Sequence, residues 1–123
     1  MITKFTLFEQ NIDLKEYMNF INDVGMFITL NTSHLNQYAL DKDAITEIQQ
    51  QFRKPVINGL TYVQLINDSL VKNPKAIPHI LNWIKQLFEY VEPRFQKYLN
   101  EDGKKKFLGR LQTLKNSYIK LIN

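Results

Sequence analysis

Histidine and carboxylate side chains are the residues of this 123-residue chain that could support catalysis or metal binding. The two histidines, His34 and His79, lie in neither an HExxH nor an ExxH arrangement. Zincin-type and ferritin-like metal sites depend on those spacings, which place two ligands on one helix face. The sequence has no GxxxxGK[ST], GxGxxG or GxSxG motif. It therefore indicates no phosphate-binding loop, dinucleotide site or nucleophile elbow.

Acidic residues in the N-terminal part are the remaining candidates for metal chemistry. Carboxylates are the oxygen ligands that hard divalent cations prefer, so one open alternative is a metal-dependent enzyme that uses them. Helix capping and the helix dipole explain several of them without a metal, and we favour that interpretation. We assign no catalytic residue, no metal ligand and no cofactor. The carboxylates concerned are Asp13, Glu16, Asp23, Asp41, Asp43 and Glu47.

Charge is sorted along the chain. Residues 1–52 carry three lysines and seven carboxylates, a net charge of −4. Residues 53–93 have a net charge of +2, and residues 94–123, with eight cations and two carboxylates, reach +6. This asymmetry predicts either an anionic partner for the basic end or an acidic half of the same fold lying against it.

The basic C-terminal segment is a candidate contact for nucleic acid or another anion. Lysine attracts phosphate without reading base sequence, so such binding would be nonspecific and sensitive to salt. On a helical wheel these cations spread around the polar arc, whereas a groove binder gathers them into one stripe. We therefore favour an ordinary solvated face and keep nucleic acid as an alternative partner. The candidate residues are Lys104, Lys105, Lys106 and Arg110.

The C-terminal half has the periodicity of two amphipathic helices. Apolar residues recur every three or four positions over 77–99 and again over 107–122, which predicts one buried face on each helix. The polar, glycine-containing segment 100–103 predicts a turn between them. We therefore expect an antiparallel helical hairpin. Pro93 projects away from the apolar stripe, so it predicts a kink rather than a break.

The N-terminal half predicts two further helices. Asp13 and Asp41 are the expected N-caps, and the second helix should stop before Pro55. The segment 56–71 has two interpretations, a hairpin around an Asn-Gly turn or a helix, of which we favour the helix. Residues 2–8 are a candidate strand or extended arm. The fold class expected is all-α: one domain, 1–123, forming a compact bundle of four or five helices with a regular C-terminal hairpin.

A second stripe on the predicted helix 77–99 lies beside its apolar seam. It combines aromatic and cationic residues at helical spacing: His79, Trp83, Tyr90, Arg94 and Lys97. Trp, Tyr and Arg are enriched at protein-binding hot spots because they offer large contact areas with a polar end. The alternative, which we favour, is that Trp83 and Tyr90 pack inside the bundle, since a central helix buries more than one face. If a partner surface exists on this helix, we expect it along this stripe.

These observations favour a small non-catalytic module that acts by protein–protein contact. Size and composition are typical of a bacterial or phage regulator, an immunity or antitoxin-type inhibitor, or a phage accessory protein. The longest uncharged apolar run, Val24–Leu30, is too short to cross a bilayer. The N-terminus lacks the apolar core of a signal peptide, and the absence of cysteine fits a reducing compartment. We therefore expect a cytoplasmic protein whose partner is another protein, without a membrane contact.

Overall fold

The computed structural model describes residues 13–54 and 75–123, except for the side chains of residues 31 and 32. The described residues form an all-α bundle, which confirms the predicted fold class. A short 3₁₀ helix, Leu35–Tyr38, follows the first helix directly. The candidate strand at 2–8, the segment 56–71 and its Asn-Gly turn lie outside the described residues. The four helices described are α1, Leu14–His34; α2, Lys42–Arg53; α3, Ile77–Tyr98; and α4, Glu101–Ile122.

Aspartates begin α1 and α2, as the sequence predicts. The Asp13 carboxylate accepts hydrogen bonds from the backbone N–H groups of Lys15 and Glu16, at 2.8 and 3.2 Å. The Asp41 carboxylate accepts one from the backbone N–H of Ala44 at 3.1 Å. Each cap satisfies N–H groups that have no partner inside the helix. The helix α2 ends before residue 55, also as predicted.

The connection between α3 and α4 is shorter than the sequence suggests. Residues 101–103 are not part of a turn; they form the first turn of α4. Asn100 is the N-cap, and its side-chain oxygen accepts a hydrogen bond from the backbone N–H of Gly103 at 2.8 Å. This cap, with Glu101 and Asp102 beside the positive end of the helix dipole, outweighs the turn propensity of a polar, glycine-containing segment.

Pro93 does not interrupt α3. The helix continues from Ile77 to Tyr98 with Pro93 inside it and exposed to solvent. The residue therefore lies away from the core, as predicted. Because proline has no N–H, the carbonyl four residues earlier lacks its helical donor, and on the solvent side of the helix water can replace that donor.

The helix α4 runs antiparallel to both α3 and α1. Tyr118, near its C-terminal end, contacts Phe88 of α3 and Phe20 of α1, with ring centroids 6.2 and 6.1 Å apart. Phe107, near its N-terminal end, lies 6.1 Å from the ring of Phe95, later in α3. The predicted C-terminal helical hairpin is thus confirmed, and α1 packs on the same helix. The core draws on all four helices, with Ile21, Val24, Ile48, Ile84, Val91 and Leu111 among its members.

Two backbone hydrogen bonds join the loops at one end of the bundle. The N–H of Leu40 donates to the carbonyl of Tyr98, and the N–H of Asn100 donates to the carbonyl of Tyr38, both at 2.8 Å. They fasten the segment after the 3₁₀ helix to the α3–α4 connection. Gly103 permits this approach, because a Cβ there would lie 2.5 Å from the Cβ of Tyr38.

Candidate functional site

The predicted binding stripe on α3 is only partly available at the surface. His79 and Lys97 are exposed, whereas Tyr90 and Arg94 are half-buried. Trp83 is 7% exposed and belongs to the hydrophobic core. The alternative interpretation of the sequence, in which this residue packs inside the bundle, is therefore the one that describes Trp83. The side chain with the largest contact area is not displayed to a partner.

Tyr90 and Arg94 interact with each other. The Arg94 guanidinium lies 3.9 Å from the centroid of the Tyr90 ring and donates a hydrogen bond to the Tyr90 carbonyl at 2.8 Å. Burial raises the pKa of the Tyr90 hydroxyl; the Arg94 cation opposes that rise, and the Glu47 carboxylate of α2 adds to it. The two half-buried side chains therefore engage each other, and Lys97 and His79 remain as the exposed ends of the stripe.

The lysines at the start of α4 have partners within the chain. Lys104 forms an ion pair with Glu101 at 2.8 Å, and Lys106 donates a hydrogen bond to the hydroxyl of Tyr38 at 3.3 Å. Lys105 is exposed. Because Glu101 and Asp102 lie on the same turn, the region mixes both signs of charge. The structure thus brings three of the predicted anion contacts to one end of the bundle without gathering them into a purely basic surface.

Arg110, the fourth predicted anion contact, has a different environment. Its guanidinium lies 5.5 Å from the centroid of the Phe107 ring, and the side chain is half-buried. Its Nη1 atom is buried and has no hydrogen-bond partner among the described residues. A buried guanidinium nitrogen without an acceptor is unfavourable, because it has lost water without gaining another partner.

Arg110 lines a surface depression between α1 and α4, which we call the α1–α4 groove. Its volume is about 330 Å³. The residues that line it follow the spacing of one helical face on each helix: Asp23, Met26, Phe27 and Leu30 of α1, and Arg110, Thr113, Leu114 and Ser117 of α4. Phe27 and Leu114 are buried beneath it, while Met26 is 64% exposed. The groove therefore presents apolar surface to solvent.

The two charged residues of the groove lie at its opposite ends. A smaller depression of about 170 Å³ continues along the same two helices and shares Asp23 and Ser117 with the groove. Because α1 and α4 are antiparallel, Asp23 lies at the Ser117 end, and Arg110 lies near Leu30 at the other. Asp23 and Arg110 form no ion pair with each other in the described parts of the chain. The groove thus has an apolar middle, a carboxylate at one end and a guanidinium at the other.

Sequence reasoning identified Arg110 as a possible contact but missed the groove. No local signal marks Met26, because single exposed apolar residues are common on protein surfaces. Whether Met26 lies near Arg110 depends on the register of α1 against α4. That register has no local sign in the sequence, because the two residues are 84 positions apart.

Metal ligands do not assemble in the part of the structure described. No three histidine, aspartate or glutamate side chains among residues 13–54 and 75–123 lie close enough to hold an ion. The carboxylates that cap α1 and α2 are engaged by backbone N–H groups. The alternative of a metal-dependent enzyme has no assembled site in these ranges.

Membrane-spanning character is also absent from the described helices, none of which is long and apolar enough to cross a bilayer.

Comparison of the chain with models of protein families, with curated proteins and with solved structures gave no match.

Proposed function

We propose that this chain is a small binding module that acts without catalysis by holding another protein in its α1–α4 groove. The observation that carries the proposal is the exposed Met26 above a floor of buried Phe27 and Leu114, beside the half-buried Arg110 at the rim of the same depression. Such a module would act by occluding or tethering its partner, as a bacterial or phage regulator, an immunity or antitoxin-type inhibitor, or a phage accessory protein does.

The apolar part of the groove favours contact with a protein. Exposed apolar surface rimmed by polar residues is typical of protein-interaction sites. Methionine adapts its unbranched side chain to the shape of a partner, and it recurs at binding surfaces for that reason. Arginine is among the residues that contribute most at interface centres. A carboxylate of a partner would pair with the half-buried Arg110 guanidinium at the rim of the groove.

Nucleic acid is a weaker candidate partner. The carboxylate of Asp23 would repel phosphate at one end of the groove. Lys104 is paired with Glu101, and Lys115 with Glu92 at 2.9 Å, so these cations are partly neutralised within the chain. Binding that resists nuclease is therefore expected, with a weaker dependence on salt than phosphate binding shows.

Affinity capture with two matched variants tests the proposal. Met26 and Leu40 are both large, apolar and mostly exposed, at 64% and 67%, but only Met26 lines the groove. Tagged wild-type protein, Met26→Lys and Leu40→Lys would be incubated with nuclease-treated lysate of the source organism, and bound proteins identified by mass spectrometry. The change at Met26 should abolish a partner that the change at Leu40 retains, because a lysine places a charge in the apolar middle of the groove.

Two outcomes would overturn the proposal. In the first, the captured partner binds both variants equally, so the groove is not the surface used. In the second, nothing survives nuclease treatment, and binding to heparin falls steeply with salt, as a nonspecific phosphate binder requires. Circular dichroism and thermal melting establish that both variants remain folded.

A further inference from the structure

We infer that the occupant of the α1–α4 groove is an amphipathic helix that carries an acidic and a basic residue about two turns apart, with an apolar residue between them. This inference rests on the proposed function and specifies the chemistry of the partner. Three features of the groove support it: its length, its apolar middle and the opposite charges at its ends.

The length of the groove matches two turns of a helix. From Asp23 to Leu30 the groove follows seven residues of α1, which is about 10.5 Å at 1.5 Å per residue. A partner helix lying along the groove has the same rise. Charged residues about seven positions apart on one of its faces would therefore reach both ends.

The apolar middle fits side chains from one helix face. Phe27 and Leu114 form its floor, and the exposed Met26 forms part of one wall. A volume of about 330 Å³ is at the lower limit of pockets that enclose a whole small ligand, about 300–1,000 Å³. It suits one or two apolar side chains of a helix whose backbone stays outside. This is the helix-in-groove mode, in which residues three or four positions apart serve as anchors.

The charges at the ends favour a peptide over an anionic amphiphile. A carboxylate at the Arg110 end would pair with the half-buried guanidinium. A fatty acid whose carboxylate lay at the Arg110 end would extend its apolar chain toward Asp23. That chain would remove water from the Asp23 carboxylate without supplying a cation. A helix carries both signs, so its lysine or arginine would face Asp23 while its glutamate or aspartate faces Arg110.

The partner face therefore follows a simple pattern. An acidic residue at position 0 lies at the Arg110 end, an apolar residue at position 3 or 4 enters the middle, and a basic residue at position 7 lies at the Asp23 end. Either chain direction can satisfy this pattern: in one the acidic residue comes first in the sequence of the partner, and in the other the basic residue does.

Selection from a displayed library of helical peptides tests this pattern. Peptides with one randomised face would be enriched on wild-type protein, on Arg110→Glu and on Lys105→Glu. The control makes the same charge change at an exposed position of α4 outside the groove. Wild type and Lys105→Glu should enrich the acidic, apolar, basic pattern. Arg110→Glu should enrich a basic residue in place of the acidic one.

Binding of a synthesised consensus peptide gives the quantitative readout. Its dissociation constant should rise about tenfold or more with Arg110→Glu or Arg110→Gln, and stay unchanged with Lys105→Glu. Exchanging the acidic residue of the peptide for lysine should restore binding to Arg110→Glu. Circular dichroism verifies folding, and Arg110→Gln introduces no new charge, so a folded variant is expected in at least one case.

Each other outcome contradicts the inference. Enriched peptides that need Met26 but show no preference for charge would overturn the partner chemistry while leaving the groove as a protein-binding surface. Enrichment of no peptide, or only of peptides insensitive to Met26→Lys and Arg110→Glu, would overturn the helical occupant. Capture of a native protein that depends on Met26 would then still support the proposed function.

Discussion

Burial of single polar groups has consequences that can be measured at the residue scale. The Tyr17 side chain of α1 is fully buried, and its hydroxyl has no hydrogen-bond partner among the described residues. Burial raises the pKa of this hydroxyl above its usual value of 10.0. The phenol therefore stays protonated in the folded protein at pH values where it ionises in the unfolded chain. Tyr17 is thus both a cost to stability and a source of alkaline sensitivity.

We expect Tyr17→Phe to increase the free energy of unfolding by about 1 kcal/mol, because it removes a desolvated hydroxyl and keeps the ring. In the wild type, Tyr17 is protonated in both the folded and the unfolded chain below about pH 10, so it makes stability depend on pH only above that value. Above that pH, stability should fall by up to about 1.4 kcal/mol per pH unit from this group, since the unfolded chain binds fewer protons. Urea unfolding between pH 8 and 11.5 measures both effects. A destabilised variant with unchanged alkaline sensitivity would contradict this account.

Glycine at position 103 is required by a close approach, whereas Gly109 is not. A Cβ at Gly103 would lie 2.5 Å from the Cβ of Tyr38, and one at Gly109 would meet nothing within 4 Å. We expect Gly103→Ala to lower the free energy of unfolding by about 1–3 kcal/mol through overpacking. Gly109→Ala on the same helix should raise it by up to about 1 kcal/mol. Equal effects in thermal or urea unfolding would show that helix propensity, not contact with Tyr38, decides both.

At the element scale, local patterns predicted the helices but not what each face meets. Capping by Asp13 and Asp41 was predictable because the signal lies within four residues. The α3–α4 hairpin followed from a periodicity that continues through Pro93. The connection between the two helices was predicted incorrectly. Residues 101–103 were assigned to a turn, because a polar segment with glycine is typical of both a turn and a capped helix start. The sequence favours burial of Trp83 without identifying what it packs against, since spacing along one helix does not show which neighbour covers a second face.

The N-cap at Asn100 provides a test of the corrected helix start. Asn100→Ala should lower the free energy of unfolding by about 1 kcal/mol, because the N–H of Gly103 loses its side-chain acceptor. Asn100→Asp should preserve stability, since a carboxylate also caps and interacts favourably with the helix dipole. Urea unfolding of the three proteins measures the difference. If the alanine variant matches the wild type, the cap does not determine where α4 begins.

At the scale of the whole molecule, the sorted charge corresponds to the way the helices pack. The helix α1 has a net charge of −1 and lies antiparallel against α4, whose net charge is +4, so their contact joins opposite net charges without an ion pair between the described residues of the two helices. Glu16, Asp23 and Lys120 line the smaller depression, whereas Arg110 lies at the far end of the groove. The α1–α4 groove arises from this pairing. It could not be predicted from the sequence, because it depends on the register between helices distant in the chain.

The central claim, that the groove holds a partner protein, is tested most directly by photo-cross-linking in cells of the source organism. A benzophenone amino acid would replace Met26 in the groove or Leu40 outside it, residues of similar exposure. Our account predicts a cross-linked protein species from position 26, its loss when Arg110→Glu is added, and no such species from position 40. Equal cross-linking from both positions, or from position 40 alone, would contradict it.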